Sequence, residues 1–247
     1  MPATTPDTSA AGEPAPGGST WSRVNRRRIY LCLGGLPFFF VLFLFLPAGT
    51  LAWPRAWVFL GVALSSWTVA TVYLWRTNPE VVIARSHSHE GTKPWDRVVL
   101  ACLAPASLAI YPVAALDAVR YQWSDLPVWV SVVGHGLYLL GLALSTWSLR
   151  VNKFFEPTVR IQVDRGHRVI DTGPYAYVRH PGYVAAILIF SGFALALGSL
   201  WALVPAALVG LALLVRTELE DKTLANELQG YRDYQRRVRH KLIPNVW

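Results

Sequence analysis

The sequence predicts an all-α integral membrane protein with four transmembrane helices and a C-terminal helical hairpin. Of its 247 residues, 53% are hydrophobic and only 15% are charged, whereas soluble domains carry about 25% charged residues. Long apolar runs approach the roughly 20 residues that cross the hydrocarbon core of a bilayer. Aromatic residues such as Trp53, Trp75 and Trp123 stand near the ends of these runs, as interfacial side chains do.

The N-terminal part of the chain is predicted to be a disordered tail followed by the first span. Residues 1–22 are rich in Pro, Gly, Ala, Ser and Thr and show no apolar periodicity, which is typical of disorder. Basic residues from Arg23 to Arg28 then precede the apolar run 30–46. Because further spans follow this run, we interpret it as an uncleaved transmembrane helix rather than a signal peptide.

Three more spans are predicted at about residues 56–75, 98–115 and 127–149, since each apolar run approaches the thickness of the bilayer. Residues 183–215 form a longer apolar stretch that is interrupted at Gly198-Ser199. This stretch is too long for one ordinary span, so we predict two helices joined by a tight turn.

The chain therefore divides into three regions. These are the disordered tail (1–22), a four-helix transmembrane region (23–150), and a C-terminal region (151–247) that holds the hairpin and a cytosolic helix.

The basic residues predict the orientation in the membrane. They concentrate in the N-terminal flank, in residues 76–97 and 150–179, and in the tail after Arg216, whereas the connections near Arg55 and Arg120 hold one basic residue each. The positive-inside rule then places both termini in the cytoplasm. Because the positive charge lies beside apolar runs, we assign it to topology and lipid headgroups, and we expect no nucleic-acid binding.

Three polar segments fall on the predicted cytoplasmic side: residues 154–170, 171–183 and 216–221. In the third segment, Arg216 and Glu220 are four residues apart and share one face of a helix. Such a cation and carboxylate could hold oppositely charged parts of a ligand, or they could form an ordinary solvated ion pair.

Two motifs in these segments carry a resemblance to a known family. The run Gly173-Pro-Tyr-Ala-Tyr-Val-Arg-His-Pro-Gly-Tyr183 precedes an apolar hairpin, and Arg216-x-x-x-Glu220-Asp221 follows it. This combination resembles the isoprenylcysteine carboxyl methyltransferase family, and the tail up to Leu242-Ile-Pro-Asn-Val-Trp247 is similar to its bacterial members. The resemblance covers roughly residues 152–247 and implies a multi-pass enzyme of a bacterial inner membrane.

The resemblance implies that S-adenosylmethionine is the methyl donor and that it binds in a cytosolic pocket of the C-terminal region, which would be catalytic. Arg216 would lie beside the methyl acceptor and would act with Glu220 in catalysis. The acceptor would offer a carboxylate or thiol and would enter from the bilayer among the membrane lipids. Its identity and the oligomeric state of the chain stay open. The residues implied at the donor are Gln162, His167, Arg168, Val169, Ile170, Tyr175, His180, Pro181, Gly182, Tyr183 and Glu220.

Two other interpretations of the C-terminal region stay open. Membrane ene-reductases have a similar cytosolic pocket and use NADPH, and a non-enzymatic membrane scaffold would bind neither nucleotide. The pair His87-Ser-His89 offers too few ligands to predict a metal site.

Overall fold

The computed structural model describes residue 35 and residues 38–86, 91–244 and 246–247. The predicted tail, most of the N-terminal half of the first predicted span, and both histidines of the His87-Ser-His89 pair lie outside the described residues. Within the described ranges all regular secondary structure is helical, and several helices are long and apolar. The predicted class of helical membrane protein is therefore confirmed.

The helices of the described part of the chain follow one another with short connections, apart from one long irregular segment between the fifth and the sixth. The last turn of the fourth helix is a π-helix, as is the middle of the first. In chain order the helices are α1 (Phe38–Ala48), α2 (Pro54–Thr77), α3 (Pro79–Ser86), α4 (Pro94–Tyr121), α5 (Val128–Val151), α6 (Pro181–Ala196), α7 (Leu203–Glu227) and α8 (Tyr231–Arg237).

Three of these helices, α2, α4 and α5, have 24, 28 and 24 residues and are apolar enough to cross a membrane. They correspond to the spans predicted at 56–75, 98–115 and 127–149. Large apolar side chains such as Trp67, Val132 and Leu140 are exposed on their surfaces, where lipid would contact them. The first predicted span is described only from Phe38 onward, apart from the isolated Gly35.

The α6–α7 hairpin turns where the sequence predicts it. Gly198 has a φ of +82°, a left-handed conformation that glycine adopts without strain. The buried carboxylate of Asp117, at the end of α4, accepts hydrogen bonds from the Ser199 hydroxyl and from the backbone N–H of Trp201. It also accepts one from the backbone N–H of Ser124 at 2.8 Å. Asp117 thus joins the hairpin turn to the connection between α4 and α5.

Helices α5 and α6 approach each other closely because glycines face the contact. A Cβ atom added at Gly134 would lie 2.2 Å from the backbone nitrogen of Ala196, and one at Gly192 would lie 2.6 Å from the backbone nitrogen of Tyr138. Small residues permit such backbone contact between membrane helices. The contact places the first turn of α6 beside the end of α5.

The segment between α5 and α6 is irregular. It contains only two short 3₁₀ turns, Val163–Arg165 and Gly173–Ala176. Helix α7 extends past its apolar part into charged residues that begin at Arg216. The irregular segment, the start of α6 and the charged end of α7 meet on one side of the bundle.

Replacing Gly134 with alanine should destabilise the protein by roughly 1–3 kcal/mol, because the added methyl group would overlap backbone atoms of α6. Gly136 is the matched control: a Cβ there meets nothing within 4 Å, so Gly136→Ala should leave the stability unchanged or raise it slightly. Thermal unfolding in detergent measures both. Equal melting temperatures for the two variants would contradict the close helix contact.

Candidate functional site

A cavity lies where the three polar segments meet. It has an empty volume of about 780 Å³, which includes open solvent at its mouth. Its wall mixes charged groups such as Glu220 with aromatic rings such as Tyr183 and apolar side chains such as Leu224.

Most of the residues that the sequence implies for a methyl donor line this cavity. Pro181 and Arg216 are not part of the wall. The residues of the implied set that line the wall are Gln162, His167, Arg168, Val169, Ile170, Tyr175, His180, Gly182, Tyr183 and Glu220.

The carboxylate of Asp221 is the centre of a buried polar network under the cavity. It accepts two hydrogen bonds of 2.8 Å from Arg179, one of 2.8 Å from the Tyr231 hydroxyl and one of 3.0 Å from Gln235. His180 Nε2 lies 3.2 Å from the same carboxylate. Burial alone would raise the pKa of Asp221, but hydrogen bonds from His180 and Arg179 lower it below its ordinary value.

The ionised state of Asp221 determines the tautomer of His180. A carboxylate without its proton can only accept hydrogen bonds, so Nε2 of His180 must carry the hydrogen that points to it. In the neutral ring, Nδ1 is then an acceptor. This atom lies 3.9 Å from a carboxylate oxygen of Glu220.

Arg179 attaches the C-terminal tail to the turn before α6. Its Nη1 donates to the carbonyls of Val238 and Arg239, both at 2.8 Å. The backbone N–H groups of Arg179 and His180 donate to the carbonyls of residues 240–241 at 3.0 and 2.9 Å. The tail after α8 is therefore part of the site's support.

Glu220 and His180 face the same cavity although the α6–α7 hairpin separates them in sequence. The Tyr183 hydroxyl donates a hydrogen bond to Glu220. The Tyr183 ring also stacks on His180, with centroids 5.7 Å apart and planes 6° from parallel. The carboxylate of Glu220 is thereby held in place while 22% of its side chain stays exposed.

Arg216 forms its ion pair with Asp96 of α4, and not with Glu220. Its Nε and Nη2 donate to the Asp96 carboxylate at 2.7 and 3.1 Å, and Nη2 also donates to the carbonyl of Pro157 at 2.7 Å. Asp96 is fully buried and accepts a further 2.8 Å bond from the backbone of Val159. The pair thus fastens segment 157–159 to α4 and α7.

Sequence reasoning missed Asp96. An ionisable residue at the start of an apolar span is a recognisable signal, because such residues in membrane helices are costly unless they have a partner. Direct contact of Arg216 with a methyl acceptor stays a prediction. Among the described residues Nη1 is the nitrogen of its guanidinium that makes no hydrogen bond.

Glu156, a second residue that sequence reasoning missed, organises the irregular segment. Its buried carboxylate accepts hydrogen bonds from Arg160 at 2.9 and 3.1 Å and from Arg165 at 3.1 Å. Gln162 uses both ends of its amide in the same segment: it donates to the Phe154 carbonyl at 2.6 Å and accepts from Arg165 at 2.7 Å. Gln162 therefore stabilises the part of the cavity wall to which it belongs.

His167 presents a neutral imidazole to the cavity. Burial lowers its pKa to about 4, with Arg160 and Arg165 acting in the same direction and Glu156 opposing them. Its Nδ1 accepts the backbone N–H of Gln162 at 3.3 Å, so Nε2 carries the ring hydrogen.

Two further features of the wall concern shape and polarity. Gly182 lies against the Phe155 ring, where an added Cβ would come within 2.2 Å of a ring carbon. The Thr158 hydroxyl is buried and has no hydrogen-bond partner among the described residues. A buried hydroxyl without a partner costs about 1–3 kcal/mol, which a ligand group could offset.

The fold and the cavity define a helical membrane protein with a cavity of mixed polar and apolar lining at one end of its helices. A family model described as phospholipid methyltransferase matches residues 129–229, from the start of α5 to just past the end of α7. The matched range includes every residue of the cavity wall except Tyr231 and Tyr234. No curated protein matches the chain. The family similarity supports a membrane methyltransferase.

Replacing Asp221 with asparagine should destabilise the protein by about 3–5 kcal/mol, because it leaves the buried guanidinium of Arg179 without a counter-charge. Asp233→Asn is the matched control, since Asp233 forms an exposed pair with Arg236 of the same helix. The melting temperature in detergent reports both. A wild-type melting temperature for Asp221→Asn would show that the network does not support the fold.

The stability of the protein should decrease as the pH falls from about 6.5 toward 4. The folded state holds the His167 pKa at about 4, whereas in the unfolded chain it returns to about 6.5. In this window the unfolded state binds more protons, so acid favours unfolding. His167→Gln removes the titrating group and should make the pH dependence of unfolding shallower. An unchanged slope in this variant would contradict the assignment.

Proposed function

We propose that this protein is an S-adenosylmethionine-dependent membrane methyltransferase that acts on a carboxylate or thiol of a lipophilic acceptor, as isoprenylcysteine carboxyl methyltransferases do. The observation that carries the proposal is that His180 and Glu220, on either side of the α6–α7 hairpin, face a single cavity. The similarity of this same part of the chain to phospholipid methyltransferases supports it.

The chemical groups on the cavity wall fit such a methyl donor. The Glu220 carboxylate can accept hydrogen bonds from hydroxyls or an ammonium group, and Nε2 of His167 can donate one to a carboxylate. Ile170, Leu224 and Leu228 offer apolar surface of the kind that an adenine ring contacts. The adenosine, ammonium and carboxylate parts of the donor therefore each have a complementary group on the cavity wall.

When bound, S-adenosylmethionine supplies a methyl group on a sulfonium, which a carboxylate or thiolate attacks without a strong general base. The chain's task is then to orient the reactants and to exclude water, and orientation can contribute up to roughly 7–11 kcal/mol. Glu220 suits the orienting role, since Tyr183 holds its carboxylate and Tyr183 in turn stacks on His180. The Asp96–Arg216 pair supports the opposite wall through segment 157–159.

The lipophilic part of the acceptor would lie among the apolar helices below the cavity, as the resemblance implies. Both Tyr183 and Arg216 stand where the apolar parts of α6 and α7 give way to the polar site. A reacting group at this boundary would meet the donor while its tail stays in the bilayer.

The purified protein in detergent should bind S-adenosylhomocysteine in isothermal titration calorimetry and should not bind NADPH. Glu220→Gln should weaken this binding by about tenfold or more, because a neutral amide accepts weaker hydrogen bonds than a carboxylate. Glu218→Gln is the matched control on the same helix, since Glu218 does not line the cavity and pairs with Lys222 and Lys241. Its affinity should equal that of the wild type.

Two outcomes would overturn the proposal. Binding of NADPH in place of S-adenosylhomocysteine would indicate a membrane reductase. Binding of neither molecule by a folded sample, as judged by its melting temperature, would indicate a scaffold.

A further inference from the structure

Arg85, on the short helix α3, is partly buried and differs from the buried arginines around the cavity. Its Nη1 donates to the carbonyl of Phe155 at 3.2 Å, and its guanidinium lies 5.6 Å from the centroid of the Phe155 ring. In the part of the chain that the structure describes, no carboxylate lies within 4.0 Å of it. The buried arginines each have a direct acidic partner: Arg160 with Glu156, Arg179 with Asp221, and Arg216 with Asp96.

A partly buried cation without a direct counter-charge is unfavourable, and among the described residues the charge of Arg85 is compensated at a distance. Burial lowers the pKa of Arg85, Glu156 raises it and Arg216 lowers it. The guanidinium nevertheless stays protonated, because arginine does not lose its proton in proteins. Partial removal of such a charge from water costs free energy, and an anion that approaches the charge lowers this cost. A bound anion would offset that cost.

Arg85 lies next to the cavity and at the level where the membrane helices end. Phe155, which carries its hydrogen bond and its ring contact, lines the cavity and covers Gly182. Glu156 and Tyr175, two more cavity residues, are close enough to interact with Arg85 electrostatically.

The rest of α3 is bound to the end of the bundle. Val81 is fully buried and packs with Leu74 near the end of α2 and with Leu149 near the end of α5. Val82 packs against the same cluster, as does Phe155. This depth is where the polar head of a membrane-bound amphiphile would lie, with its tail among the helices.

We propose that Arg85 binds the anionic group of the lipophilic methyl acceptor, a carboxylate or a phosphate. A guanidinium offers a planar fork of N–H donors that matches both anions. The alternative cation, Arg216, already has its charge compensated by Asp96. The proposal rests on the proposed methyltransferase function. In that function, Arg85 would select acceptors that carry a negative charge.

The test uses the full chain in detergent with S-adenosylhomocysteine bound. Two probes distinguish the anions: N-acetyl-S-farnesylcysteine carries a carboxylate, and phosphatidylethanolamine carries a phosphate. The wild type should bind at least one of them. Arg85→Gln should weaken that binding by about tenfold or more, whereas Arg85→Lys should keep part of it. Arg97→Gln is the matched control, because Arg97 is an exposed arginine close to the same end of the bundle.

A second readout separates this inference from the proposed function. The affinity for S-adenosylhomocysteine should be the same in Arg85→Gln and the wild type. Reduced donor affinity in this variant would place Arg85 at the donor and overturn the inference. Wild-type binding of the probe by Arg85→Gln would also overturn it, as would failure of the wild type to bind either anion. Failure of the wild-type protein to bind S-adenosylhomocysteine would instead refute the proposed methyltransferase function.

Discussion

The carboxylate of Asp221 is the interaction on which the rest of the site depends. It accepts hydrogen bonds from Arg179 before α6, from His180 at the same turn, and from Tyr231 on α8. This ionised group thus joins the turn before α6 to α8, and backbone hydrogen bonds from Arg179 and His180 attach the same turn to residues 240–241. Because that group stays charged, it also sets the ring tautomer of His180, and His180 supports Tyr183, the partner of Glu220.

Two further buried carboxylates, Asp96 and Glu156, repeat this arrangement on the opposite wall. Asp96 with Arg216 and Glu156 with Arg160 are neutral pairs whose carboxylates also bind the irregular segment, directly or through its arginines. Buried ion pairs add little net stability, but removing one partner is costly, so such pairs specify a geometry. Here the pairs hold in place a loop that has no regular secondary structure. Glu220, the Tyr183 ring and the Thr158 hydroxyl, which has no hydrogen-bond partner among the described residues, remain on the cavity wall to contact a ligand.

Much of this architecture could be predicted from the sequence, because membrane spans follow from apolar length and the hairpin follows from Gly198 within an apolar stretch. The placement of His180 and Glu220 at one cavity was predictable from the two motifs, Gly173–Tyr183 and Arg216–Asp221, that contain them. The partner of Arg216 was not: spacing suggested Glu220, whereas the structure pairs it with Asp96, 120 positions earlier in the chain. That contact depends on how α4 packs against α7, and no local pattern encodes it. The position of Arg85 beside the cavity was not predictable for the same reason.

The glycine contact between α5 and α6 has a consequence for how molecules reach the cavity. Backbone atoms of the two helices touch at Gly134 and Gly192, several turns from the site, and again at Gly141. Interdigitated backbones resist both sliding and separation, so this side of the cavity acts as a fixed wall. Exchange of a large ligand is therefore expected at the open mouth of the cavity and at the irregular segment 152–180, whose attachments are mostly single hydrogen bonds that can break one at a time.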